Sequence, residues 1–342
     1  MQFSGREGLS EVVRLTTPKS DGKLNLMPCL TFAARTVARS RLLAVYGRRG
    51  VLAGAAFLAP ETAHGQRVPG RDLLEFPIGT VAEAPALATG ARIGVWNPAT
   101  IAATDARAAF GVAALATPAD QGVAAQAAGV GVRIQGGATI ALSVVRASVR
   151  DLLLTDGDPR SLGEVRYATT LVSAMAARAS GRHLVSGLAV RYRTGELGTT
   201  IRGAVALDGG VLVRGLGSRD ARLAVSSFLW SPANQQEERA TFTGAGDLRL
   251  SGPDSTYEVR TGYSYAATER GLHEHFAFVS GRRGILQGRG GLARSQTFDD
   301  ARWRLRLGVG VYYARYAVAV SREESGAGLG AIYQFSLSST VR

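Results

Sequence analysis

The chain has 342 residues, 43 of them glycine and only 7% aromatic, with a mean hydropathy of +0.05. Its longest uninterrupted apolar run, Val51 to Pro60, is about ten residues, and a bilayer-spanning helix needs roughly 20, so a helical membrane bundle is excluded. The net charge of +13 is spread as single arginines interleaved with acids, with Lys19 and Lys23 the only lysines. A nucleic-acid footprint would be a patch or stripe, so no nucleic-acid partner is expected. Cys29 is the only cysteine, which excludes a disulfide framework and a cysteine metal site.

Taken in chain order, residues 27–66 read as a signal peptide. Arg35, Arg39, Arg41, Arg48 and Arg49 form a basic region, Gly50 to Ala59 a short apolar core, and Ala63-His64-Gly65 supplies small residues near a cleavage point at Gln66. Residues 1–26 have no place in such a leader and Met27 is the more sensible start, which reads the first stretch as an upstream extension. Arg48-Arg49-Gly50-Val51-Leu52 also faintly matches a twin-arginine signal. That route exports folded proteins and suits a barrel badly, so the general export route is preferred. Residues 67–104 then form a segment with little regular pattern. It contains Gly94-Val95-Trp96-Asn97-Pro98-Ala99, where Pro98 fixes its own φ, restricts Asn97, and leaves the Asn97 side chain to cap a nearby amide.

From about residue 105 the chain alternates apolar and polar side chains in segments of roughly ten residues, the period of a strand. Ala108 to Leu115 is a candidate first strand, and Asp151 to Gly163 the only sizeable loop. Leu184, Leu188, Val190 and Tyr192 oppose His183, Arg191 and Arg193. Phe242, Leu248 and Leu250 oppose Arg239, Thr241, Thr243, Asp247 and Arg249. Tyr257, Val259, Tyr263 and Tyr265 oppose Glu258, Arg260 and Ser264. In the clearest segment, Arg302, Arg304 and Arg306 point one way, and Trp303, Leu305, Leu307, Val309, Val311 and Tyr313 the other. Leu329, Ala331, Tyr333, Phe335 and Leu337 close the chain against Gly328, Gly330, Gln334 and Ser336. Turn signals separate the segments: Asp156-Gly157-Asp158-Pro159, Ser180-Gly181-Arg182, Asp208-Gly209-Gly210, Ser251-Gly252-Pro253-Asp254 and Glu324-Ser325-Gly326.

Strand length and export decide the fold class. Sandwich strands are mostly about 5–6 residues, bilayer-crossing strands roughly 9–11, and several segments here reach the longer figure. Tyr257, Tyr263, Tyr265, Tyr313, Tyr333 and Phe335 lie near strand ends on the apolar face, as an aromatic girdle requires. The expectation is an all-β chain: an antiparallel transmembrane barrel of about 14 strands (12–14) over residues 105–342, with residues 67–104 as a short plug, in a bacterial outer membrane whose lipid is its first partner.

The Trp96-Asn97-Pro98-Ala99 element resembles the W-N-P-A element of the FadL-like outer-membrane proteins, a superfamily that includes the long-chain fatty-acid transporters and the PorV-type proteins of type IX secretion. Gly308-Val309-Gly310-Val311, Tyr316 to Val320, Gly328-Leu329-Gly330 and Tyr333-Gln334-Phe335-Ser336-Leu337 resemble that family's closing strands, and Ala206-Leu207-Asp208-Gly209-Gly210 is a weaker third likeness. The resemblance implies a 14-stranded barrel whose N-terminal segment folds into the lumen, with Trp96, Asn97, Pro98 and Ala99 in a turn of that plug beside an apolar ligand. An ordinary turn before a strand is the alternative for the same four residues.

Other motifs carry less. His273 and His275 lie two apart on one strand face and can grip a metal, but no third ligand is placed, and lumen-facing polar residues explain them more cheaply; no metal and no cofactor are expected. Gly281-Arg282-Arg283-Gly284 through Gly288-Arg289-Gly290-Gly291 lacks the Gly-Lys-Ser/Thr of a phosphate loop and reads as a hairpin and a tightly packed strand. Ser264, His183 and Glu258 have no spacing that fixes a hydrolase triad, and no enzyme is expected. The lumen-facing Arg191, Arg249, Arg260, Arg302, Arg304 and Arg306 would repel one another unless paired with Asp247, Glu258 or a bound anion. Two functions follow: a barrel that binds or transports a hydrophobic or amphipathic, fatty-acid-like molecule with its anionic head at those arginines, or a non-transporting barrel that docks an envelope or secretion protein.

Overall fold

The computed structural model describes residues 68–89, 94–118, 122–150, 152–155, 161–231, 240–252, 256–268, 273–297, 300–324 and 330–341. The signal peptide, the upstream extension, Cys29 and the 156–159 turn lie outside the described residues. Among the described residues sixteen strands form. They are β1 Ala108–Ala116, β2 Val123–Arg133, β3 Ala138–Val149, β4 Leu153–Thr155, β5 Ser161–Glu164, β6 Tyr167–Ser180, β7 Leu184–Leu197 and β8 Thr200–Leu216, followed by β9 Ala221–Phe228, β10 Thr241–Arg249, β11 Tyr257–Thr268, β12 His273–Arg283, β13 Leu286–Thr297, β14 Asp300–Tyr313, β15 Tyr316–Glu324 and β16 Ala331–Val341. Fourteen of them make one closed antiparallel barrel in which β1 pairs with β16, at the upper end of the expected count; β4 and β5 form a small separate hairpin between β3 and β6.

The alternation has the physical consequence it predicts. Along β14, Trp303, Leu307, Val309 and Tyr313 are exposed while Arg306 is 1% exposed, so the apolar face is the outer one. The same holds for Leu188, Val190 and Tyr192 on β7 against buried Arg191 and Arg193. In water this arrangement would expose a continuous apolar belt; against lipid it is the favourable one. Trp303 and Tyr313 mark its two edges: ten residues of strand at ~3.3 Å each, tilted about 40°, span roughly 25 Å, the height of such a belt. On the rim that carries Ala108 and Val341 the connections are short, for example 181–183 and 284–285, while the longest ones, 150–166 and 229–240, are on the opposite rim. Short turns are the periplasmic ones in this architecture.

Two sequence expectations are corrected. Asp208-Gly209-Gly210 is not a turn but the interior of β8, which runs uninterrupted from Thr200 to Leu216. Glycine is required there for close approach: a Cβ on Gly210 would collide with the Asn97 side chain and come within 3.1 Å of Pro98 Cδ. His273 and His275 do not face the lumen. They share the outer face with Tyr265 and Tyr263, each histidine accepting or donating at Nδ1 to a tyrosine hydroxyl.

A bulge follows in β9. The regular β8–β9 ladder ends at Gly210 opposite Ser226, and Leu207 N instead donates to Trp230 O (2.8 Å), which leaves one extra residue on the β9 side. Leu229 absorbs it at φ +59°, and Phe228 and Leu229 therefore both turn inward and are buried.

Candidate functional site

The chain's own residues 68–89 and 94–103 lie in the lumen. Among these described residues the regular elements are short 3-10 turns, at Asp72–Leu74, Pro85–Leu87 and Pro98–Ala102, so their backbone groups need partners elsewhere. Inward side chains of the wall supply them. Arg193 donates to Pro69 O (2.8 Å) and Val68 O (3.1 Å), and Arg191, two residues earlier on the same face of β7, donates to Val95 O (2.7 Å) and Gly94 O (3.4 Å). From the far side of the barrel, Gln334 Oε1 on β16 accepts from Gly79 N (2.8 Å). Arg214 on β8 donates to Ala103 O, and Glu83 is paired with Arg289 of β13. Contacts from β7, β8, β13 and β16 thus surround the segment.

Within the segment, the Trp96-Asn97-Pro98-Ala99 element is the central fastening. Asn97 Oδ1 accepts from Ala99 N (3.0 Å), capping the 3-10 turn as its sequence predicts, while Nδ2 donates to Ala86 O (2.8 Å). Trp96 Nε1 donates to Ile78 O (3.0 Å), and its ring meets Phe228 of the bulge at 4.6 Å. Leu74, Ile78, Val81 and Trp96 pack with Leu171 and Leu229 of the wall in one buried cluster. Replacing Asn97 by alanine leaves two buried backbone groups unpaired and is expected to lower stability by about 1–3 kcal/mol, read as a lower urea midpoint for barrels folded in lipid vesicles.

The luminal arginines are brought together in groups with acids of this same chain. Arg191 is fully buried and paired with Asp208, also fully buried; its guanidinium also lies 5.1 Å from the Phe228 ring and donates to Ser173 Oγ (3.0 Å). Arg260 donates to Asp247 (2.9 Å), Glu258 (3.2 Å) and Asp220 (3.0 Å), with Arg222 on the other side of Asp247. Arg304 and Arg306 are held between Glu274 of β12 and Glu323 of β15: Arg306 meets Glu323 at 2.6 Å and Glu274 at 2.9 Å, and Arg304 pairs with both. Sequence reasoning named the arginines and missed both glutamates. Arg249 lies directly across the β10–β11 ladder from Arg260 and donates to Ser251 Oγ (3.2 Å) near the turn rim, and Arg302 is exposed near the loop rim. Two arginines against two glutamates leave Arg304 and Arg306 with no spare charge for an anionic headgroup, which removes the reason for placing one there.

Ser264, His183 and Glu258 do not converge. Ser264 is buried on the inner face of β11, Glu258 is bound to Arg260, and His183 lies in the turn before β7 with Nδ1 at 2.8 Å from Arg214 O. No group of three metal-ligating side chains occurs among the described residues.

Three spaces stand out among the described residues. A cavity of about 280 Å³ near the long-loop rim is lined by Glu75, Phe76, Trp96, Glu274, Arg304 and Arg306. One of about 550 Å³ near the turn rim is polar, with Arg222, Arg260, Arg282, Arg315 and Tyr312 in its wall. A third, about 940 Å³, is a groove in the outer face, bordered by Leu188, Val211, Val225, Phe242 and Tyr265 and floored by Gly187, Gly209, Gly210, Ser226 and Ser227. The ladder is loosened there, since Gly209 N donates to Ser227 Oγ (3.0 Å). The inner side of the same floor carries the fastening: Cβ atoms on Gly187 would come within 2.5 Å of Pro98 C and Ala99 N.

No family model and no curated protein matches the chain. Solved structures similar to it are barrels of the channel and porin kind. The CymD monoaromatic hydrocarbon channel is 11% identical over 74% of this chain and 93% of its own, at a TM-score of 0.47. A low-pH structure of OprB from Pseudomonas putida is 8% identical over 69% and 91%, at 0.37, and a mutant of the Rh. blastica porin 8% identical over 68% and 97%, also at 0.37. What these proteins have in common with the chain is barrel architecture at low identity, and no statement about cargo rests on them.

Proposed function

We propose that the protein is an outer-membrane barrel that binds or passes a hydrophobic or amphipathic small molecule, fatty-acid-like in its chemistry, rather than an open aqueous pore or an enzyme. The observation that carries this reading is the pairing of a lumen occupied by residues 68–89 and 94–103 with a lipid-facing apolar groove of about 940 Å³ whose floor is glycine and serine. A filled lumen disfavours ions and sugars, and a molecule that reaches the groove from the bilayer meets apolar walls and a wall backbone already tied to the Asn97-Pro98-Ala99 turn. The resemblance of that turn and of the closing strands to FadL-like proteins points the same way. The mutual pairing of the lumen arginines favours a second reading, a sealed barrel that docks an envelope or secretion protein through its loops.

The test is mass spectrometry of small molecules retained after purification from outer membranes in mild detergent. A stoichiometric amphiphile is expected in the parent protein and is lost about tenfold or more in Gly209→Phe, whose ring fills the groove. A Cβ at 209 meets only Leu188 Cδ2 at 3.8 Å, so a side chain can start there without touching the backbone, and heat-modifiable migration on gels verifies that the variant is a folded barrel. An empty barrel that retains a protein partner instead would overturn the first reading in favour of the second.

A further inference from the structure

Beyond Tyr265 at the groove's border, the outer face of β12–β14 carries side chains that neither the lumen nor the groove accounts for. The register places Tyr265 opposite His275, His275 opposite Arg294, and Arg294 opposite Trp303, so four neighbouring strands present Tyr, His, Arg and Trp at one level. The side chains touch along the row: Tyr265 and His275 ring centroids are 5.0 Å apart, and the Arg294 guanidinium lies 5.8 Å from the Trp303 centroid. One position nearer the rim, His273 stacks on Tyr265 at 5.8 Å and meets its hydroxyl at 2.5 Å. Trp303 is 62% exposed.

Two physical points turn this row into a site. The first is depth. Arg294 lies three residues inside the end of β13 and Trp303 three inside the start of β14, about 10 Å below the rim of long connections, where an aromatic belt meets lipid headgroups. The second is charge. None of the residues that alternate outward on β11–β14 is acidic; Glu274 is on the inner face of the wall, and Glu324 of β15 is paired with Arg322 at 3.2 Å. Arg294 is therefore a cation at the edge of a low-dielectric belt with no carboxylate beside it among the described residues, held over an indole instead. A guanidinium there satisfies its donors best with the oxygens of a phosphate.

We propose that Arg294, flanked by Trp303 and His275, binds the phosphate of a membrane lipid headgroup in the leaflet at the long-loop rim, with acyl chains lying along Leu292, Leu305 and Leu307 below it. The site is independent of what the groove carries. Its specificity resides in the phosphate rather than the acyl chains, since the apolar surface below it is common to the whole belt.

Native mass spectrometry of the intact barrel with dioleoyl-phosphatidylglycerol and with dioleoylglycerol, which has the same chains and no phosphate, tests the assignment. The phosphorylated lipid is expected to remain bound through detergent release and the other not. Arg294→Gln should weaken retention about tenfold, the scale of one charge-assisted contact, and Arg294→Lys by less. Arg283→Gln, on the same face of β12 at the opposite rim, should leave it unchanged. Heat-modifiable migration on gels verifies that each variant is a folded barrel, and Trp303→Phe, which keeps the apolar ring, gives a second folded variant with weakened binding. Equal retention of both lipids, or of the phosphorylated lipid by parent and Arg294→Gln, would overturn the proposal.

Discussion

Arg191→Ala is expected to destabilise the folded barrel by about 3–5 kcal/mol and to loosen residues 94–103 from the wall. The side chain is fully buried, and its loss strands Asp208, also fully buried, with an uncompensated charge. It also removes the donor for Val95 O (2.7 Å) and Gly94 O (3.4 Å), so the inner segment loses its attachment to β7 at the Trp96-Asn97-Pro98 fastening. Asp208 has a second task, accepting from Trp230 N (3.1 Å) at the bulge, so the damage spreads to the β8–β9 seam. The double variant Arg191→Met, Asp208→Leu removes both charges at similar volume and should recover much of the loss, because the penalty of a broken buried pair lies in the charge left behind. Urea unfolding in lipid vesicles measures both. A single variant as stable as the parent would mean that the pair does not hold the segment.

Gly210→Val should displace the segment without removing any of its bonds. A branched side chain at that position occupies the space of the Asn97 carboxamide and Pro98 Cδ, and the neighbouring Gly187 is just as closely covered by Pro98 and Ala99. Since β8 is held by regular ladders to β7, the turn and not the strand must give way. Limited proteolysis should then cut between residues 68 and 103 at least tenfold faster than in the parent, scaling with the population of the open form. Gly209→Ala, one residue away on the outer face where nothing but Leu188 Cδ2 approaches, is the control and should behave as the parent.

The barrel was legible because stretches of its wall obey one rule: over Leu188–Arg193 of β7, and along β10, β11 and β14, the large outward residues are apolar and the charged ones inward, and alternation reports this directly. Where the inner segment packs on the wall, the rule reverses. On β12, Phe276 and Phe278 face inward, Phe276 beneath the Arg306 guanidinium at 4.9 Å, and Glu274 shares their face. Read without the segment, that strand has its apolar residues outside, which puts His273 and His275 in the lumen and hides Glu274. In the Arg322-Glu323-Glu324 run, charge occurs on both faces, so the parity that buries Glu323 under Arg306 could not be chosen from sequence. Asp208-Gly209-Gly210 carries the composition of a turn, and only the nearness of Asn97 and Pro98 explains why glycine stands in mid-strand. The cap at Asn97 was legible because it is local: donor and acceptor lie two residues apart. Partners such as Gly79 and Gln334, 255 residues apart, have no local signal.

The central claim is that the chain closes its own barrel with residues 68–89 and 94–103, and ionic conductance across planar lipid bilayers tests it most directly. The parent protein is expected to show little or no steady conductance, and a variant from which residues 68–103 are deleted, verified as folded, should open channels at least an order of magnitude larger, because a 14-strand barrel with an emptied lumen leaves a water-filled path. Large, stable conductance by the parent protein, equal to that of the deletion, would contradict the account.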